Sequence, residues 1–139
     1  MIVFYKENGH IYATVFDPLP KGYKEAMEKD KSINFIEVTS DMPLEIDGGT
    51  QYVDVVEKVL NNRPTIDLQD EYNINVGESL SINIPESSIL IFHDSKFMTE
   101  TLVECSDGLV ELDGEMPDTY EITIQKWPYI DKTIRINVT

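Results

Sequence analysis

The chain has one cysteine, two histidines, one tryptophan and only eleven basic residues among 139. Each scarcity closes off a class of chemistry. A lone Cys105 can form no disulfide within the chain and supplies no cysteine cluster for zinc. It sits in the apolar-flanked run TLVECSDG (101–108), which reads as a half-buried, inert thiol. The two histidines have no ligand-spaced partners. No apolar run approaches the roughly 18 residues that span a bilayer. The opening MIVFYKENGH has no basic region, no long apolar stretch and no small-residue cleavage site. It does not read as a signal peptide, and synthesis and first folding are expected in a cytoplasm. Glycines are scattered, with no Gly-rich phosphate loop, and basic residues never cluster near aromatics as single-strand binders require.

What the chain has in excess is acid. Twenty-six Asp and Glu face eleven Lys and Arg, a net charge of −15. Residues 1–64 hold seven basic and eleven acidic residues (net −4), and residues 65–139 hold four and fifteen (net −11). Such a surface repels nucleic acid and anionic membranes, so neither nucleic-acid binding nor membrane insertion is expected. A basic partner or divalent cations would be drawn to it, and plain solubility is the blander use. With 41% hydrophobic residues the chain reads as folded, long enough for one ordinary domain or two very small ones. A core of fewer than about 70 residues is marginal on its own.

The first half reads as a small α+β module, residues 1–64. IVFYK and HIYATVF flank Glu7-Asn8-Gly9, and Asn-Gly predicts a hairpin with a type I′ turn. Pro18, Pro20 and Gly22 exclude a helix before about residue 23. YKEAMEKDK then predicts a short one over about 23–30, with Tyr23, Met27 and Ala26 sharing a face. INFIEVT predicts a strand whose apolar residues change phase, as at a bulge. A loop carrying Pro43 and Gly48-Gly49 comes next. YVDVVEKVLNN fits a helical stripe as well as two short strands. Its Val and Tyr content and its Gly-Gly and Asn-Asn bounds favour a small hairpin. The polar, proline-bearing NNRPTIDLQDEY reads as the linker.

Residues 65–139 read as all β. Leu80, Ile82 and Ile84 alternate with polar residues after a Gly77-Glu78 turn. SILIFHD is apolar enough for burial on both faces. Asp107-Gly108 signals a further hairpin between FMTETLVECS and GLVEL. Six or seven short strands with turns at regular spacing predict an antiparallel β-sandwich. The whole is therefore expected to be mainly β, with an α+β N-terminal part.

Catalytic constellations are not evident. His10 follows a turn and reads as solvated. His93 stands beside Asp94, as an oriented base would, but with no Ser or Cys in a nucleophile-elbow context. Asp107-Gly108 and Asp113-Gly114 invite a calcium loop, yet Leu109, Val110 and Leu112 occupy positions that would need oxygens, so Asp-Gly is read as a turn signal. Pairs of carboxylates are inevitable among 26 acids and so carry no weight. The reading assigns no catalytic residue, no metal and no cofactor, and expects no enzyme.

The closing TYEITIQKWPYIDKTIRINVT (119–139) is a hairpin pattern in which Tyr120, Ile122 and Ile124 share one face and Ile130, Ile134, Ile136 and Val138 the returning face. Trp127 is out of phase, so the alternation slips near Pro128. Trp127 and Tyr129 either cap one end of the core or present an aromatic contact patch. Together with DGLVELDGEMPDTYEITIQ, the ending resembles small tail-associated or uncharacterised virion proteins of tailed bacteriophages. In those, an immunoglobulin-like sandwich ends in a Pro-Gly-Thr-Tyr turn, a strand, a Trp/Phe-Pro-Tyr turn and a last strand. Pro117 to Tyr120 stand for the first turn, with Asp118 in place of glycine, and Trp127, Pro128 and Tyr129 for the second. Tyr52, Val53, Asp54, Arg63 and Pro64 are similar to an upstream segment of such proteins, and MIVFYKENGHIYATV to the N-terminal hairpin of phage tail proteins and fibre assembly factors.

The resemblance implies a non-enzymatic virion structural protein, made in the host cytoplasm and placed on a tail or tail fibre. It would dock on other virion proteins through its N-terminal part, be oligomeric in assembly and display the acidic sandwich outward. The alternatives are a carbohydrate- or receptor-binding accessory module, with Trp127 and Tyr129 stacking on a host-surface glycan, and a tail-fibre assembly chaperone.

Overall fold

The computed structural model describes residues 1–39, 45–94 and 96–139; the expected loop at Pro43 lies outside them. The chain is mainly β, with twelve strands and one short helix among the described residues. It divides into two compact units, Met1–Arg63 and Pro64–Thr139.

In the first unit, β1 (Ile2–Tyr5) is the centre of an antiparallel sheet, flanked by β2 (Ile11–Val15) and β3 (Asn34–Glu37). Four consecutive apolar residues suit a central strand, and β1 is buried along its whole length. The β1–β2 turn is not the expected type I′. Gly9 N–H donates to Lys6 C=O at 2.8 Å and Lys6 N–H to His10 C=O at 2.9 Å, which encloses a three-residue loop. Gly9, at φ +90°, is the turn's left-handed residue. Asn8 instead turns its side chain back to accept the His10 N–H at 3.0 Å, an Asx bond that needs no left-handed backbone. The expected bulge in residues 33–38 is also displaced. β3 pairs evenly with β1, and the register shift lies between β1 and β2 at Phe4 and Tyr5.

The helix α1 (Tyr23–Lys29) half-buries Tyr23 and Met27 and leaves Ala26 exposed. The ambiguous segment is a hairpin of β4 (Gln51–Asp54) and β5 (Val59–Asn62). Its tip is closed by Asp54, whose side chain accepts the N–H groups of Val56 and Glu57 at 2.9 and 3.0 Å. Val3, Tyr5, Ile11, Ile36 and Val53 form the unit's core cluster, with Val38, Ile46 and Leu60 packed against it.

The second unit is a sandwich. One sheet has the order β6 (Glu71–Ile74), β12 (Lys132–Val138), β11 (Asp118–Gln125), β8 (Ser88–Asp94), β9 (Thr99–Cys105), and the other pairs β10 (Leu109–Asp113) with β7 (Ser79–Asn83). Two strands face a larger sheet built on the unit's third, sixth and seventh strands, the three that share a sheet in an immunoglobulin-like sandwich. Ile82 and Val110 from the small sheet and Leu90, Ile122, Ile134 and Ile136 from the large one share a single buried cluster.

Four expectations need correction. The sandwich is not wholly antiparallel, because β6 runs parallel to β12. The stretch read as a linker holds the boundary between the two units, at Arg63 and Pro64, but from Pro64 onward it belongs to the sandwich: Ile130 N–H donates to Pro64 C=O and Arg135 N–H to Asp70 C=O, each at 2.9 Å, and Ile66 is buried in the sandwich core. Asp107-Gly108 reverses the chain but does not make the expected hairpin, and it acts as the expected Gly77-Glu78 turn does. Each carries the chain from one sheet to the other, since β6 and β7, like β9 and β10, lie in different sheets. Finally, β8 buries Ser88 and Leu90 on one face only and leaves Ile89 exposed on the other.

Candidate functional site

The closing hairpin places its aromatics by register. Tyr120 pairs with Ile136 and Ile122 with Ile134, so both strands turn the same parity inward. Residues 126–131 then bridge Gln125 and Lys132 outside the ladder, through a cis Trp127–Pro128 peptide bond. Gln125 Nε2 donates to Asp131 Oδ2 at 2.9 Å and ties the two ends of this loop. Tyr120 and Tyr129 pack, half-buried, against the sandwich core. Trp127 and Pro128 are half-buried, and Pro117 is exposed just before β11.

His93 stands between a threonine hydroxyl and a carboxylate rather than against its chain neighbour Asp94. His93 Nε2 lies 2.7 Å from Thr123 Oγ1, and His93 Nδ1 lies 3.3 Å from Glu100 Oε1. Its chain neighbour Asp94 turns away to accept the N–H groups of Lys96 and Phe97 at 3.0 and 3.2 Å. The chain therefore separates the His-Asp pair that the sequence set side by side. His10 is half-buried beside the Gly9 turn rather than fully solvated.

Each carboxylate of the two Asp-Gly steps has a local partner. Asp107 Oδ1 accepts the Leu109 N–H at 3.1 Å, which lowers its pKa, and the Cys105 thiol approaches it at 3.5 Å. Asp113 Oδ1 accepts the Ser79 hydroxyl at 2.5 Å. Among the described residues no group of three His, Cys, Asp or Glu could hold a metal ion. Cys105 is buried, and its burial, followed by the nearby Asp107, pushes the thiol pKa up and away from thiolate reactivity.

Two sets of exposed apolar side chains stand out instead. In the first unit Tyr12 (54% exposed), Phe16 (61%) and Val56 (81%) present large apolar side chains to solvent. In the second, β9 is exposed at every residue but Cys105, including Leu102 (63%) and Val103 (44%). Sequence reasoning recognised both segments as strand or turn but missed their exposure. Alternation shows that a strand has two faces, not which strand ends at the rim of a sheet. The sole hint was Glu100, Leu102 and Glu104 at spacing two, an acidic pair bracketing an apolar residue. Across the outer face of the large sheet, Glu100, His93, Glu121, Arg135 and Glu71 stand in one row of register.

Compared with models of known families and with curated proteins, the chain gives no match to either.

Proposed function

We propose that the protein is a non-enzymatic structural component of a tailed-bacteriophage virion, associated with the tail or tail fibre. It docks through Met1–Arg63 and displays the acidic sandwich outward. The observation that carries this reading is the exposure of Tyr12, Phe16 and Val56 on a unit of marginal size. Exposed large apolar side chains on such a unit are what a partner surface covers. The turns Pro117–Tyr120 and Trp127–Tyr129 support it through their resemblance to virion sandwiches. The glycan-binding alternative needs both closing aromatics at the surface, whereas Tyr129 packs onto the core.

Mass spectrometry of gradient-purified particles of the encoding phage tests the proposal. The chain is expected at a fixed ratio to tail proteins, and Phe16→Glu with Val56→Glu is expected to abolish incorporation without unfolding the protein. Presence in infected cells but absence from particles would establish a chaperone instead and overturn it.

A further inference from the structure

We propose that β9 is an acceptor edge, taking an extended basic segment of a protein partner as a sixth strand beside Thr99–Cys105. This inference does not rest on the virion reading; it concerns the chemistry of one strand.

An edge strand turns every second N–H and C=O away from its neighbour, and folded proteins ordinarily blunt such edges. The usual devices are short strands, charged side chains or proline on the edge, and bulges. β9 uses only charge, and of one sign, in Glu100 and Glu104, which turns away a like-charged strand and leaves the edge open to a cationic one. It is seven residues long, contains no Lys or Pro, and pairs with β8 without interruption from Ser88–Cys105 to Asp94–Thr99. Other edges differ: β6 has four residues, and β2 meets β1 through a register shift. Among the described residues no turn or loop backbone hydrogen bond reaches 99–104.

Both faces of β9 are open as well. Val103 pairs with Leu90 and shares its face, yet Leu90 is 4% exposed and Val103 44%. The two-stranded sheet therefore covers β8 and stops short of β9. On the other face Glu100, Leu102 and Glu104 stand in line. A shallow depression of about 380 Å³, lined by Ser87, Ile89, Leu102, Val103 and Glu104, runs beside them.

Charge selects the occupant. A second copy pairing antiparallel about Leu102 would set Glu100 against Glu104 twice, and like charges directly opposite are destabilising. The surrounding unit adds fifteen acidic residues to four basic ones, which repels a copy and attracts a cationic chain. A segment with Lys or Arg opposite Glu100 and Glu104, and apolar residues opposite Leu102 and Val103, meets every group on the edge. Strand addition then supplies affinity through the backbone and selectivity through alternate side chains.

Hydrogen-exchange mass spectrometry on the full chain, with three capped peptides, tests this. TKVITKT is expected to protect the amides of 99–105. TKVPTKT, with equal charge but a proline in the ladder, is expected not to. Glu100→Lys with Glu104→Lys is expected to weaken TKVITKT about tenfold or more and to create binding of TEVITET. Both side chains are exposed, and unchanged Trp127 fluorescence confirms that this variant folds. Equal binding of the proline peptide, protection elsewhere, or no binding by any peptide would overturn the proposal. So would a peptide-free dimer with 99–105 already protected, because the occupant would then be a second copy.

Discussion

In Met1–Arg63 the strands run four or five residues and fall into two small sheets, whereas Pro64–Thr139 carries strands of up to eight residues, five of them in one sheet. The difference tracks the length of unbroken alternation. Residues 118–125 and 132–138 keep period two for a whole strand, so each side chain has a face to fill and the ladder extends. In the first unit IVFY is apolar throughout and suits one short central strand, while Pro18, Pro20 and Gly22 interrupt the chain after β2. The acid is apportioned in the same sense, with a net −11 on the larger unit and −4 on the smaller. Self-repulsion works against a compact state, and the unit with the larger buried cluster carries more of it.

The largest expected effect tests whether that cluster holds the second unit. Ile136 is fully buried between Tyr120 on β11 and Tyr72 on β6. Ile136→Ala is expected to lose about 2–5 kcal/mol, from the missing methyl groups and the cavity they leave. Trp127 is the chain's one tryptophan and lies in this unit, so its fluorescence during urea unfolding reports the loss. A loss below about 1 kcal/mol would mean a loosely packed cluster and would remove the contrast.

A smaller effect sharpens the first unit's side of the comparison. Gly9 sits at φ +90°, and a Cβ there would stand 2.1 Å from the Val53 carbonyl oxygen. The Val53 N–H also donates to Gly9 C=O at 2.9 Å, so the turn is seated backbone to backbone on β4. Gly22 has similar φ, +80°, with nothing within 4 Å of a Cβ. Gly22→Ala is expected to cost about 1–2 kcal/mol from the left-handed backbone alone. Gly9→Ala is expected to cost more, because the hairpin must also move off β4. Hydrogen exchange over residues 1–15 measures it; equal effects at the two glycines would show that the seat is not tight.

The elements were legible where local chemistry decides them. The hairpin at 51–62, the helix at 23–29 and the strands of the second half arise from period, glycine and proline. Partners were not. Asp107-Gly108 announces a reversal, and the same local chemistry serves a hairpin or a passage between sheets; only the long-range pairing of β10 with β7 chooses. Asn8-Gly9 likewise marked the turn but not its type, which the Asn8 side chain decided. The edge on β9 was hidden for the same reason, since a strand's exposure is set by how far the facing sheet extends. Among the closing aromatics, spacing showed that the alternation slips near Trp127 but not which ring turns to the core.

The smallest expected effect concerns a joint of the second unit, the parallel pairing of β6 with β12. Asp70, just before β6, is bonded by Lys132 at the start of β12. That hydrogen bond, and then the lysine's charge, hold the Asp70 carboxyl below its ordinary value. A carboxylate whose folded pKa is depressed contributes stability above its unfolded pKa and loses it as pH falls through the folded value. The gap in urea midpoint between the native chain and Asp70→Asn should therefore be widest near neutral pH. It should narrow below about pH 4, close under the folded pKa, and shrink in high salt because the aspartate is solvent-exposed. A gap independent of pH would leave the parallel edge held by its backbone bonds, Arg135 to Asp70 and Thr139 to Ile74, with no help from the ion pair.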